Sequence, residues 1–381
     1  MHKKSDSERS LYRAQLWMEE GQYQLALTAL QHLKTHNPEQ ERQTAYLSAW
    51  CYILLEQWPE ARCLLLHLNP TSSIEENWND AKHNERERRA FYLLCLGNAA
   101  LSLKRIEEAS QHYTQCLKLL SERRVNLPQV RIKALYSLGL SCMMSGFYVM
   151  AIKQYEEALQ LCKNTPEHEN FPDIYYGLCN ANHLQGNYED AYTYGIKALT
   201  LYEDRGIRDK QGQVQNLLGR ICYQIREYDE AAGHYLESLS IATQDDNQEI
   251  KLVNFTALAD LRLAEERLVE AQRYCEHALE VADGLDDNYI LGLMHLTCGN
   301  VMVAESKQAA GEQHDILYSK AREFFERAKE LLAQTHDSAL VSEVYGKIGQ
   351  MLEQSGQPQE ALSYWKTAYA SLAHSTGQSL D

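Results

Sequence analysis

The sequence predicts an all-α fold, a solenoid of about nine stacked helical hairpins. Three observations predict it. A pattern of small and aromatic residues recurs about every 40 residues. Within each period the apolar residues follow helical spacing. Only 7 prolines and 19 glycines punctuate 381 residues, which favours long helices over many turns.

The repeat is anchored on the alanine that opens each second helix: Ala26, Ala61, Ala109, Ala151, Ala191, Ala231, Ala271, Ala321 and Ala361. Twelve residues before most anchors stands a small residue, among them Ala14, Gly97, Gly139, Gly219, Ala259 and Gly349. Four residues after stands a larger one in most repeats, such as Tyr113, Tyr155, Tyr235, Phe325 or Trp365. Small residues let two helices approach to about 8–10 Å. The aromatic fills the gap toward the next repeat. Gly146, Gly186 and Gly356 fall where the chain turns between helices. One such hairpin cannot hide its apolar face, so neighbours must stack.

In order, the hairpins are expected at about 9–36, 40–69, 84–121, 128–163, 171–203, 210–243, 247–283, 288–334 and 337–373. Residues 1–8 are expected to be a disordered tail and 374–381 a polar one. Two steps exceed the period: Ala61 to Ala109 and Ala271 to Ala321. The excess falls near 69–84, a polar stretch, and near 306–318, where either a loop or a longer helix pair fits.

Leu138-Gly139, Gly146-Phe147, Ala151, Tyr155 and Ala158-Leu159 resemble the tetratricopeptide repeat signature. The resemblance covers almost the whole chain, and it implies a right-handed superhelical solenoid with an inner, concave groove. Ala14 and Ala49 replace Gly in the first two repeats. Cys179 and Gly195 depart from the usual Gly and aromatic in the fifth, where Tyr194 is placed to cover the gap. The long period is similar to that of the sensor halves of bacterial helix-turn-helix regulators and of kinesin light chain. The helix-turn-helix itself is not expected here, because the first repeat is placed from about residue 9.

The net charge of −16 is uneven. Residues 1–135 hold 18 Lys+Arg and 16 Asp+Glu, while 136–381 hold 19 and 37, a net of −18. That segment repels phosphate backbones, so direct nucleic-acid binding is not expected. A basic protein or peptide suits it better. The N-terminus lacks the apolar core of a secretory signal, and the longest apolar runs are too short to span a bilayer. Ten scattered cysteines, with no Cys-x-x-Cys pair, read as buried, reduced thiols of a cytoplasmic protein.

No phosphate-binding glycine loop, dinucleotide fingerprint or H-E-x-x-H occurs. His32 and His36 share a helix face without a third ligand nearby, and Cys275 and His277 point apart on theirs. Neither enzyme chemistry, nor a metal, nor a cofactor is expected. A non-enzymatic scaffold that binds a protein or peptide is the first reading. A peptide-sensing regulator of a separate transcription factor or protease is the second. A non-catalytic subunit of an enzyme complex is the third. An end repeat could also pair with a second copy.

The residue one step past the small position should face the groove. That series includes Asn98, Leu140, Asn180, Arg220, Asp260 and, taking Gly299 as the eighth small position, Asn300. An asparagine amide can both donate to and accept from an extended peptide, and similar tetratricopeptide proteins commonly grip a peptide main chain here. Tyr136, Tyr176 and Asn216 lie one turn earlier, His183 and Tyr223 one turn later. These eleven residues form the candidate groove.

Overall fold

The structure is a computed structural model. It describes residues 6–19, 22–34, 83–121, 127–163, 171–335 and 338–376, with scattered residues between 41 and 64. The insertion expected near 69–84 lies almost entirely outside them, as does His36. Among the described residues there are sixteen helices and no strand. The chain divides into two compact units, 1–194 and 195–381.

Unit 1 holds α1 (Asp6–Glu19), α2 (Tyr23–Gln31), α3 (His83–Ser102), α4 (Ile106–Leu120), α5 (Pro128–Met144), α6 (Tyr148–Cys162) and α7 (Phe171–Gln185). The boundary falls within α8 (Tyr188–Asp204). Unit 2 holds α9 (Arg208–Gln224), α10 (Tyr228–Gln244), α11 (Gln248–Ala264), α12 (Leu268–Ala282), α13 (Asn288–Ser306), α14 (Glu312–Leu332), α15 (Ser338–Gln354) and α16 (Pro358–Thr376). In unit 2 each helix packs on the next in sequence order, and α9, α11 and α13 also touch one another as successive first helices. The same arrangement runs through α3 to α7 in unit 1.

The small and aromatic positions meet as the spacing requires. A Cβ added to Gly139 would lie 2.6 Å from the Tyr155 ring, and one added to Gly97 2.4 Å from Tyr113. Tyr155 is clamped from both sides, since a Cβ on Gly177 of the next helix pair would come within 2.7 Å of it. Gly299 meets Phe325 at 2.5 Å in the same way, so it is the eighth small position. The extra residues of that repeat lengthen α13 and α14 to 19 and 21 residues, and the connection between them is residues 307–311. In the fifth repeat Cys179 is fully buried, and Tyr194 packs on Tyr175 with ring centroids 6.1 Å apart.

One turn ends most first helices. The Phe147 N–H donates to the Cys142 carbonyl and the Gly146 N–H to that of Met143, with Gly146 at φ +77°. This double bond satisfies carbonyls that the helix end would orphan. Gly186 and Gly356 repeat it. Arg226 and Glu266 repeat it too, at φ +66° and +61°, so the motif holds even where no glycine marks it.

Nine of the ten cysteines are buried and all are unpaired. Cys63 is the correction to the expectation of buried thiols: it is exposed. Cys275 is buried while His277 faces out toward Glu280, so the two do diverge. No described helix is long and apolar enough to cross a membrane.

Candidate functional site

In unit 1 the candidate residues lie on α3, α5 and α7, in registers one turn apart. Asn98 is already engaged: its Oδ1 accepts the Tyr113 hydroxyl at 2.8 Å and lies 3.5 Å from Ser137 Oγ. The amide thereby orients the ring that fills the gap between α3 and α4. Tyr136 is half-buried with its ring 5.9 Å from Tyr155. Burial, reinforced by Asp173 and Tyr176, raises its hydroxyl well above the ordinary tyrosine value. Leu140, Tyr176 and Asn180 are half-buried. His183 is 7% exposed and packs on Tyr188, which leaves it little surface for a partner.

In unit 2 the candidate residues converge. Two cavities of about 430 and 400 Å³ adjoin, sharing Tyr223, Asp260 and Leu293 in their walls. Asn216 and Arg220 line the smaller, Asn300 the larger. Thus all five expected residues of this unit, from three successive first helices, surround one bipartite hollow.

Buried polar bonds hold the walls. Ser238 Oγ donates to the Gly212 carbonyl at 2.7 Å, and Asn254 Nδ2 donates to Ser238 Oγ at 2.8 Å. Asn216 Nδ2 in turn donates to Asn254 Oδ1 at 2.9 Å. Asn254 is fully buried, so this chain fixes the rotamer of Asn216 at the cavity wall. Tyr223 stacks at a tilt on Tyr228, ring centroids 5.8 Å apart. Burial raises its hydroxyl, and the charge of Asp260 adds to the effect.

Asp260 is the most perturbed acid of the site. Thr297 Oγ1 donates to its Oδ2 at 3.0 Å, which favours the ionised form. Desolvation outweighs that bond and raises the carboxyl to about 7, with Glu343 pushing the same way and Lys347 opposing.

Several wall residues escaped the sequence reading. Counting from the small residue of each first helix, the lining includes position −6 (Val253, Leu293, Glu343), position −2 (Ala257, Thr297, Lys347) and, in the same register as the expected Tyr223, also Leu263 and Val303. These steps are one helical stripe, wider than the two or three registers expected from the repeat. The signal was present in the period but not in residue type, because apolar, neutral and charged side chains alternate along it.

The comparisons with known proteins agree with this fold. Models of the tetratricopeptide repeat match residues 92–119 and 171–244. The chain thus carries tetratricopeptide repeats in these two segments. Human outer dynein arm-docking complex subunit 4 is 27% identical over 209 residues, 54% of this chain and 30% of that protein. The mouse protein of the same name is 26% identical over 185 residues, 48% of this chain and 29% of that protein. The chain therefore spans under a third of the length of these curated relatives. Among solved structures, the apo form of the quorum sensor NprR from B. thuringiensis matches with a TM-score of 0.71 at 14% identity, over 96% of this chain and 99% of that one. Apo RapI matches with 0.70 at 13% identity, over 99% and 100%. A Rap protein complexed with competence and sporulation factor matches with 0.62 at 12% identity, over 98% and 99%. At these identities the likeness is one of fold.

Proposed function

We propose that this chain is a non-enzymatic scaffold that holds a protein or peptide partner against the inner faces of its first helices, with the unit 2 hollow as the seat of the grip. The carrying observation is the convergence of Asn216, Arg220, Tyr223, Asp260 and Asn300 from α9, α11 and α13 around that hollow. Tetratricopeptide repeats are interaction modules, and a wall of amides, aromatics and charge offers main-chain hydrogen bonds together with side-chain seats. Among the described residues no cluster of three or more metal-type ligands occurs. In this reading the shifted groups around the hollow serve recognition.

A peptide-sensing regulator is the second reading. It is favoured by the near full-length likeness of fold to a quorum sensor and to a Rap protein holding a peptide factor. In that reading the occupied hollow changes how successive hairpins stack, and a separate effector responds.

The test is selection from a displayed random-peptide library on the wild-type chain and on Asn216→Ala/Arg220→Glu, with circular dichroism confirming both folds. A peptide motif enriched on the wild type and lost on the variant supports the grip. No enrichment, or equal enrichment on both, overturns it. Small-angle scattering with the enriched peptide separates the two readings: a regulator changes its envelope, a passive scaffold does not.

A further inference from the structure

Some basic residues of unit 2 find carboxylate partners, while others, such as Arg226 and Arg273, make no ion pair among the described residues. Arg208, Lys251, Arg262, Arg267, Arg327 and Lys329 each reach a carboxylate within 4.0 Å. The hollow gathers unpaired charges of both signs in one place. Arg220, Lys307, Glu343 and Lys347 line it, and none makes an ion pair within that distance among the described residues. Asp260 receives one hydrogen bond, from Thr297 to Oδ2, and its other oxygen receives none among the described residues. Glu343, on α15, lines the same lobe and is near enough to act on it.

We propose that the wall shared by the two cavities seats the cationic head of a lysine or arginine side chain from a bound peptide, with Asp260 as its direct partner and Glu343 as a second acceptor. This rests on the peptide-holding reading above and deepens it. A cation between two carboxylates on different helices removes their mutual repulsion and supplies the charge-assisted bond that Asp260 lacks. The stem of such a side chain needs apolar surface, which Tyr289, Ile290 and Leu293 provide in the smaller lobe. The Tyr223 ring stands in both walls, where a cation can lie against it.

The groups acting on, or acted on by, Asp260 come from each neighbouring helix: Tyr223 on α9, Tyr235 on α10, Cys275 on α12, Thr297 on α13, and Glu343 and Lys347 on α15. Burial raises both tyrosines, and the hydrogen bond with Cys298 together with burial raises the Cys275 thiol, so near neutrality these three stay uncharged. Lys347 brings positive charge to Asp260 and Glu343 offsets it, while Arg220 and Lys307 stand elsewhere in the same walls. A single ammonium or guanidinium fits this site better than a metal ion, since two carboxylates fall short of a metal's ligand set.

The test uses the full chain and the peptides enriched on it from the random library. The expected result is a lysine or arginine at one fixed position of the motif. Replacing that residue by norleucine should weaken binding at least about tenfold, the loss of one charge-assisted bond. On Asp260→Asn the basic and norleucine peptides should bind alike, and on Glu343→Gln the difference should shrink. A wild-type measurement guards against misfolding of the variants. With the Asp260 carboxyl near 7 in the free chain, affinity for the basic peptide should rise about tenfold from roughly pH 6 to pH 8, and the norleucine peptide should show no such rise. A motif without a basic residue, or a basic residue whose contribution survives Asp260→Asn and is flat with pH, overturns the cation seat and leaves the scaffold reading standing. An empty selection overturns both.

Discussion

Replacing Gly219 by alanine should destabilise unit 2, although the substitution favours helix locally. A Cβ at Gly219 would lie 2.6 Å from two carbons of the Tyr235 ring, about 1 Å inside ordinary contact. Tyr235 is 2% exposed and walls the smaller cavity, so its ring cannot swing into solvent. It must push into the hollow or force α9 from α10. Overpacking of this kind costs about 1–3 kcal/mol, against a gain of about 1 kcal/mol for removing glycine from a helix interior. The internal control is Gly233→Ala, in α10, where a Cβ would meet nothing within 4 Å. That variant keeps only the gain. The expected order is Gly233→Ala above wild type and Gly219→Ala below the Gly233 variant by about 1–3 kcal/mol. Urea unfolding followed by far-UV circular dichroism reads the order, and hydrogen exchange of α9 and α10 reads the site locally, as a repeat array can open in parts. Tyr235→Leu in the Gly219→Ala background should recover part of the loss. Equal stability of the two alanine variants would refute the steric account of the repeat.

Other outcomes follow from the same geometry. The carboxyl of Asp260 is raised in the folded state to about 7 from 3.8, so folding binds a proton between those values and stability falls as pH rises through that window. Thermal melts of wild type and Asp260→Asn should diverge there, the variant losing the slope. Asn254→Leu deprives Ser238 and Asn216 of their buried partner and should cost about 1–3 kcal/mol, read by denaturant titration. Gly186→Ala places a side chain at φ +85° in open space and should cost about 1 kcal/mol from backbone strain alone, with no change in cavity binding.

The repeat itself was legible in the chain because its causes are local. Helical period, a turn glycine and a small residue sixteen before an aromatic are short-range features, and Gly139 with Tyr155 shows the spacing becoming contact. Where the spacing is ten residues longer, Gly299 and Phe325 still meet, but only the lengths of α13 and α14 reveal why. The groove register followed from the same period, and in unit 2 it picked out Asn216, Arg220, Tyr223, Asp260 and Asn300.

What lay beyond the sequence is what several helices decide jointly. Asn98 and Asn300 occupy one register, yet Asn98 is spent on Tyr113 while Asn300 lines a cavity. Glu343 and Lys347 read as ordinary surface charges of α15, and only packing brings them to Asp260 more than eighty residues earlier. The chain alone determined that hairpins must stack, since an amphipathic helix pair exposes its apolar side until a neighbour covers it. The tertiary structure decided which polar groups that stacking leaves together, because desolvation and charge depend on distances through space.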